Sequence, residues 1–149
     1  MSAPRPGAPY AIRPMTLADH GVVHRIWRNA EGICVVEDDS RKGIRLYLAR
    51  NPGLCFVATA GARVVGTVLC GHDGRRGILR HLAVVPEFRR RGIGSALAGR
   101  CVRALARQGV RKCNLYVMDG NASGMRFWRR LGYRLLPDEY RTLQVRIPG

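Results

Sequence analysis

The apolar pattern of this chain predicts an α/β (α+β) fold in a single domain, on three observations. Segments with period-two alternation are interleaved with segments of helical spacing along the whole length. Turns bearing glycine or proline separate them. The 149 residues, 46% of them apolar, suffice for one domain with its own core. In order the elements read β-α-α-β-β-β-α-β-α-β-β, about seven strands and about four helices. Met1 to Pro9 has no apolar stretch and reads as a disordered N-terminal tail, with residues 10–149 as the domain.

Residues 10–14 suit a first strand. Thr16 with Asp19 three residues on has the form of a capping box, and Val22, Val23, Ile26, Trp27 and Ala30 follow on a helical face. Asp38, Asp39 and Ser40 offer a second helix start; Ile44, Tyr47 and Leu48 share its inner face, and Pro52-Gly53 ends it. Residues 54–60 and 63–71 alternate as two strands about a turn at Gly61, and Gly74 to Gly77 turns the chain into a third strand over 78–85. Ile93, Ala96, Leu97, Cys101, Ala104 and Leu105 then share one helical face, closed by Gly109. Residues 112–118 alternate as a strand, and Asn121 caps a helix that Gly132 closes. Two last strands are expected over 133–136 and 142–147.

The chemistry concentrates where the strand ending at Val85 meets the helix opening at Ile93. Between them lies Pro86-Glu87-Phe88-Arg89-Arg90-Arg91-Gly92-Ile93-Gly94-Ser95. A helix N-terminus presents N–H groups without intrahelical partners, and the aligned peptide dipoles favour an anion there. Gly92 and Gly94 leave room for close approach, and Arg89, Arg90 and Arg91 add charge beside it. A Walker A loop is excluded because no lysine follows Gly94, and a dinucleotide fingerprint because Leu97 stands where its third glycine or alanine belongs.

Arg89-x-x-Gly92-x-Gly94 resembles the pyrophosphate loop of the GNAT-superfamily N-acetyltransferases. Asn121-Ala122-Ser123-Gly124-Met125-Arg126-Phe127-Trp128-Arg129-Arg130-Leu131-Gly132-Tyr133 resembles that family's next motif, in the right order and one helix and one strand later. The resemblance runs from about Tyr10 to Ile147. It implies a mixed, mostly antiparallel sheet in which the strands before the two motif helices are parallel and splay apart around the cofactor. It also implies transfer of an acetyl group from acetyl-CoA to a primary amine of a small molecule or protein, by direct attack and with backbone stabilisation of the oxyanion. On the family pattern the backbone of Leu82, Ala83 and Val84 holds the pantetheine arm and thioester. The backbone from Arg89 through Arg90, Arg91, Gly92, Ile93 and Gly94 to Ser95 holds the pyrophosphate. Asn121 contacts the cofactor arm, caps its helix, or does both.

Three catalytic candidates follow. Trp128 stands where the family usually carries the tyrosine that protonates the leaving thiolate, and an indole N–H has no proton to release near neutral pH. His81 lies on the strand before the loop, but regular alternation points it away from the face where relatives, at positions matching Ile78 and Arg80, place a base. Tyr116 matches a site that carries glutamate in some relatives. Glu37, Asp38 and Asp39, three consecutive carboxylates in a chain with ten, border the expected acceptor site and would attract an ammonium group; a helix N-terminus explains the last two as well.

The remaining composition bounds the partners. The net charge of +16 is spread along the chain and reads as arginine-favouring codon usage together with a basic cofactor site. A nucleic-acid partner is not expected, since no basic stripe interleaved with aromatics is present. Five cysteines form no C-x-x-C pair, so they read as reduced thiols of a cytoplasmic protein, with no metal site. No membrane partner is expected, and a homodimer is compatible with the resemblance. The alternative to the enzyme is a catalytically weak acyl-CoA-binding protein of the same fold, marked by Trp128; behind both stands a nucleic-acid-binding module.

Overall fold

The structure, a computed structural model, describes residues 7–137 and 141–148. It orders as β1 (Ala11–Pro14), α1 (His20–Asn29), α2 (Arg41–Arg50), β2 (Phe56–Ala60), β3 (Arg63–His72), β4 (Gly77–Val84), α3 (Ile93–Arg107), β5 (Cys113–Asn114) and α4 (Ala122–Arg130), with short 3₁₀ turns at Leu17–Asp19, Glu37–Asp39 and Pro86–Phe88. The strands form one sheet in sequence order, antiparallel throughout except for the parallel pair β4–β5.

The expected four helices are present, but the sheet among the described residues has five strands instead of seven. Residues 133–136 and 142–147 form no strand, and Leu143, Val145 and Ile147 are 94%, 82% and 87% exposed. Alternation there has no neighbour to pair with, and a strand exists only through its partner. The segment expected over 112–118 shrinks to Cys113–Asn114. Of the expected N-terminal tail, residues 1–6 lie outside the described residues, while Ala8 accepts a hydrogen bond from Arg91.

Local rules account for the ends of the elements. The Asp19 carboxylate accepts from the backbone N–H of Thr16 at 2.9 Å and from both Nη atoms of Arg13 at 2.8 Å, tying β1 to the start of α1. The Arg13 guanidinium holds the Asp19 carboxyl below its ordinary range, so this tie is complete at neutral pH and weakens only as pH falls through that lowered value. Ser40 caps α2 by accepting from Gly43 N–H at 3.2 Å.

The sheet is covered on both faces. Against one, α3 buries Ile93, Leu97, Ala98, Cys101, Ala104 and Leu105 on Phe56, Val65, Val68 and Leu79. Against the other, Val23 and Trp27 of α1 and Ile44 of α2 pack on Val57, Leu69 and Ala83. At about 25 cal/mol per Å² of apolar area these layers supply the main favourable term of folding, and they hold β4 rigid between them.

Candidate active site

The functional geometry begins with an irregularity in β4. Thr67 faces Ala83 but Leu69 faces Arg80, so two steps along β3 match three along β4. The extra residue makes a β-bulge, and His81 takes φ +53°, a left-handed value that costs a non-glycine residue about 1–3 kcal/mol. β4 and β5 are paired only at Gly77–Cys113 and Ile78–Asn114. Past those pairs the two walls part around a cavity of ≈ 340 Å³. Arg80 to Val84 line one side, Leu115 to Met118 the other, Asn121 and Trp128 the α4 end, and Ala30 to Ile33 the α1–α2 connection.

Beyond Val84 the chain turns into the N-terminus of α3, with a geometry that could cradle an anion. Gly92 has φ +76° and caps α3, and Ala96 N–H makes the first helical bond to its carbonyl at 2.9 Å. The N–H groups of Ile93, Gly94 and Ser95 therefore lie ahead of that bond, where an anion's oxygens can accept from them. The two glycines serve different ends. A Cβ on Gly92 would meet nothing within 4 Å, so it is the backbone angle that needs glycine, whereas a Cβ on Gly94 would sit 3.2 Å from Phe127 Cζ and press α3 against α4.

The three arginines also divide. Arg89 lines the cavity with its Nε donating to Val84 O at 3.0 Å, and Arg90 at φ +60° is exposed. Arg91 turns inward over the Phe88 ring at 4.8 Å and donates to Ala8 O, so its guanidinium fastens the N-terminal segment.

His81 lines the cavity despite the alternation argument, because the bulge re-aims it. Its Nε2 lies 2.9 Å from Asp39 Oδ1, and its ring packs edge-on against Trp27 at 4.9 Å. Since a carboxylate only accepts, Nε2 carries a proton, and in the neutral ring Nδ1 is then the nitrogen with the lone pair. Asp39 is buried. Its other oxygen accepts from Val36 N–H at 2.9 Å, and its carbonyl lies 2.9 Å from His20 Nε2.

Of the three consecutive carboxylates, none lines the cavity: Asp39 is held by His81, exposed Glu37 lies 3.4 Å from Arg146, and Asp38 is exposed on the same turn. The carboxylate in the cavity wall is Glu31, which the sequence pattern did not single out.

Trp128 also lines the cavity, in an edge-on aromatic series with Phe127 at 4.9 Å and Tyr133 at 5.0 Å. Tyr116 is 77% exposed on the opposite wall, with the Arg80 guanidinium 5.9 Å from its ring. Asn121 Oδ1 accepts from Gly124 N–H at 2.9 Å, the cap expected of it, and a Cβ on Gly32 would lie 2.7 Å from its Nδ2. Asn121 thus joins the start of α4 to the loop after α1.

The Acetyltransferase (GNAT) family matches residues 20–133, which include the bulged strand, the anion cradle and both motif helices. The chain belongs to that family. An acetyltransferase of Sodalis glossinidius is 35% identical to it over 98 residues, which make up 66% of this chain and 69% of that one. The fold is shared with Ard1 from Thermoplasma volcanium, at TM-score 0.75 and 24% identity over 88% of each chain. It is shared also with the PaiA N-acetyltransferase from Thermoplasma acidophilum, solved in complex with coenzyme A, at TM-score 0.77 and 19% identity over 88% of this chain and 93% of that one.

As a GNAT N-acetyltransferase the protein takes its acetyl group from acetyl-CoA and passes it to an amine. The residues present fit that donor: unbonded N–H groups at the α3 N-terminus for its phosphates, and a gap beside β4 for its arm. Among the described residues no group of His, Cys, Asp and Glu is placed to hold a metal, and no helix is long and apolar enough to cross a membrane.

Proposed function

We propose that this acetyltransferase, a single domain over residues 10–149, acetylates a primary amine of a small molecule or protein by direct attack, with His81 as general base and Asp39 as the residue that positions it. The observation that carries this reading is the bulge, which brings a histidine bonded to a buried carboxylate into the cavity wall where β4 and β5 part. Bound acetyl-CoA supplies an activated acyl carbon. The chain's work is then to place the amine, remove its proton and stabilise charge on the acyl oxygen.

His81 Nδ1 accepts the amine's proton, and Asp39 holds the ring in the required tautomer and offsets the imidazolium charge. Backbone N–H groups at Leu82 to Val84 and at Arg89 to Ser95 bind the thioester oxygen with its arm and the pyrophosphate. Asn121 adds its side-chain amide from the α4 end. Trp128 donates a hydrogen bond toward the departing sulfur without transferring a proton, so water completes the thiol, and Tyr116 relays protons or shapes the acceptor wall. The free thiols suit a reducing, cytoplasmic compartment, and exposed, alternating Leu143, Val145 and Ile147 suit pairing with a second copy, which sedimentation would detect.

The test is thiol release from acetyl-CoA over an amine panel, with calorimetric acetyl-CoA binding in parallel. His81→Gln keeps a donor for Asp39 but no base, so kcat/KM falls about 10²–10⁴-fold while donor affinity holds. Turnover by His81→Gln within threefold of the parent would remove His81 from the mechanism. Acetyl-CoA binding with no turnover on any amine would favour a weak acyl-CoA-binding protein limited by Trp128.

A further inference from the structure

A second cavity, of ≈ 380 Å³, lies on the α2 side of the sheet. Tyr47 and Arg50 of α2 and Asn51 at its C-cap line it, with His72 at the end of β3, Asp73 and Arg76 of the β3–β4 turn and Ile78 of β4. Arg80 and Tyr116 line both cavities and so form the partition between them. This second cavity therefore opens beside the reacting end of the cleft.

Its charge is positive. Arg50, Arg76 and Arg80 are exposed and make no ion pair among the described residues. The one carboxylate there is Asp73, whose Oδ1 accepts from the backbone N–H groups of Arg75 and Arg76 at 2.8 and 2.9 Å, and its single charge leaves the three guanidinium groups in excess. The His72 ring is engaged by its neighbours: Nδ1 accepts from Gly74 N–H at 3.0 Å while Nε2 faces Gln108 Oε1 at 2.7 Å.

Tyr47 is part of this wall, and its hydroxyl is buried without a partner among the described residues. Burial lifts its pKa far above the ordinary phenol, so it stays a donor. It sits over Gly71, where a Cβ would come within 2.7 Å of the oxygen. Guanidinium groups and an unpaired hydroxyl are the donor set of a carboxylate site.

The donor's phosphates cannot be what this set awaits. The cradle follows Val84, whereas the second cavity sits at the Gly77–Ile78 end of β4. Those ends are roughly 20 Å apart at ~3.3 Å per residue. Arg80 stands between, within side-chain reach of the bulge.

We infer that the second cavity is the acceptor's anion subsite, and that the amine this enzyme acetylates carries a carboxylate a few bonds from the reacting nitrogen, held by Arg80, Arg50 and the Tyr47 hydroxyl. This rests on the acetyltransferase reading and deepens it. An ammonium group before transfer meets Glu31 in the first cavity, while the carboxylate extends past Tyr116 into the second. The net charge of +16 favours such acceptors over polyamines, which it repels.

The test separates this inference from its basis. Coenzyme A is titrated first, which checks the donor site alone. The coenzyme A complex is then titrated with N-acetyl-L-glutamate, with its uncharged diamide, and with an N-acetylated tetrapeptide carrying glutamate or glutamine at its second position. Expected is at least tenfold tighter binding of carboxylate over amide in one pair. The free amino-acid pair responds if the acceptor is a small molecule, and the peptide pair if it is a protein terminus.

Arg80→Gln with Arg50→Gln removes that preference, and Tyr47→Phe lowers it severalfold. Arg103→Gln with Arg111→Gln, an equal loss of charge elsewhere, retains it. The same ranking should appear in KM for the matching free amines. Equal binding of carboxylate and amide, binding of neither, or an equal loss in the Arg103/Arg111 control would overturn the inference while coenzyme A binding left the donor site standing.

Discussion

The two helices that flank the cofactor cleft are both announced by motifs, yet they are held very differently. α3 buries six residues in the core; α4 buries none. α3 lies across β2, β3 and β4 and places the anion cradle on a rigid base. α4 rests on the partly buried Trp128, on Leu131 just past its end, and on the Asn121 cap, with Phe127 touching the site of Gly94. The cleft therefore has one fixed wall and one that can yield. A firm base beneath the α3 N-terminus with a less buried opposite wall leaves the second side freer to adjust than the first.

The largest effect separating the walls is on stability. Leu97→Ala should cost about 3 kcal/mol, within the 2–5 kcal/mol of a buried leucine truncation, while Met125→Ala on α4 should cost under ~1 kcal/mol. Urea unfolding reads both. Equal losses would mean that α4 is as much part of the core as α3. Next in size is Asn121→Ala, which removes the α4 cap and should cost about 1 kcal/mol. Asn121→Ser keeps a capping oxygen but no amide toward Gly32. Recovery of stability without recovery of acetyl-CoA affinity in that variant would divide the two roles of Asn121.

The same contrast marks how much was legible beforehand. Features set by local chemistry appear where the sequence places them: the Ser40 and Asn121 caps, the Gly92 turn, the apolar face of α3. Features that depend on a distant partner do not. The alternation of residues 112–118 promised a full strand, but β4 veers away at the bulge and only Cys113 and Asn114 find a neighbour. Regular alternation likewise turned His81 away from the site, since nothing local to its sequence signals an extra residue relative to β3. Asp39 looked like a ligand for an ammonium group because its partner lies 42 positions along the chain.

On the yielding wall, Trp128→Tyr puts a hydroxyl with a transferable proton into the cavity lining, where the proposed mechanism has the sulfur depart. It should raise kcat severalfold if protonation of the thiolate limits the reaction, with acetyl-CoA affinity little changed. An unchanged kcat, with a solvent isotope effect that also stays put, would place the slow step elsewhere.

The smallest effect tests the contact between the walls. Alanine favours a helix over glycine by about 1 kcal/mol, so Gly94→Ala should steady the first turn of α3 by up to that amount. Its new methyl would stand 3.2 Å from Phe127 Cζ and 3.8 Å from Leu82 Cδ2. Leu82 belongs to the rigid sheet, so Phe127 and with it α4 must move. A shift of a few tenths of an ångström costs little folding energy in a helix with no buried residue, but it displaces Asn121 and Trp128 relative to the cradle. The expected outcome is unchanged or slightly raised stability with two- to threefold weaker acetyl-CoA binding. Weaker stability with intact binding would reverse the assignment of which wall gives way.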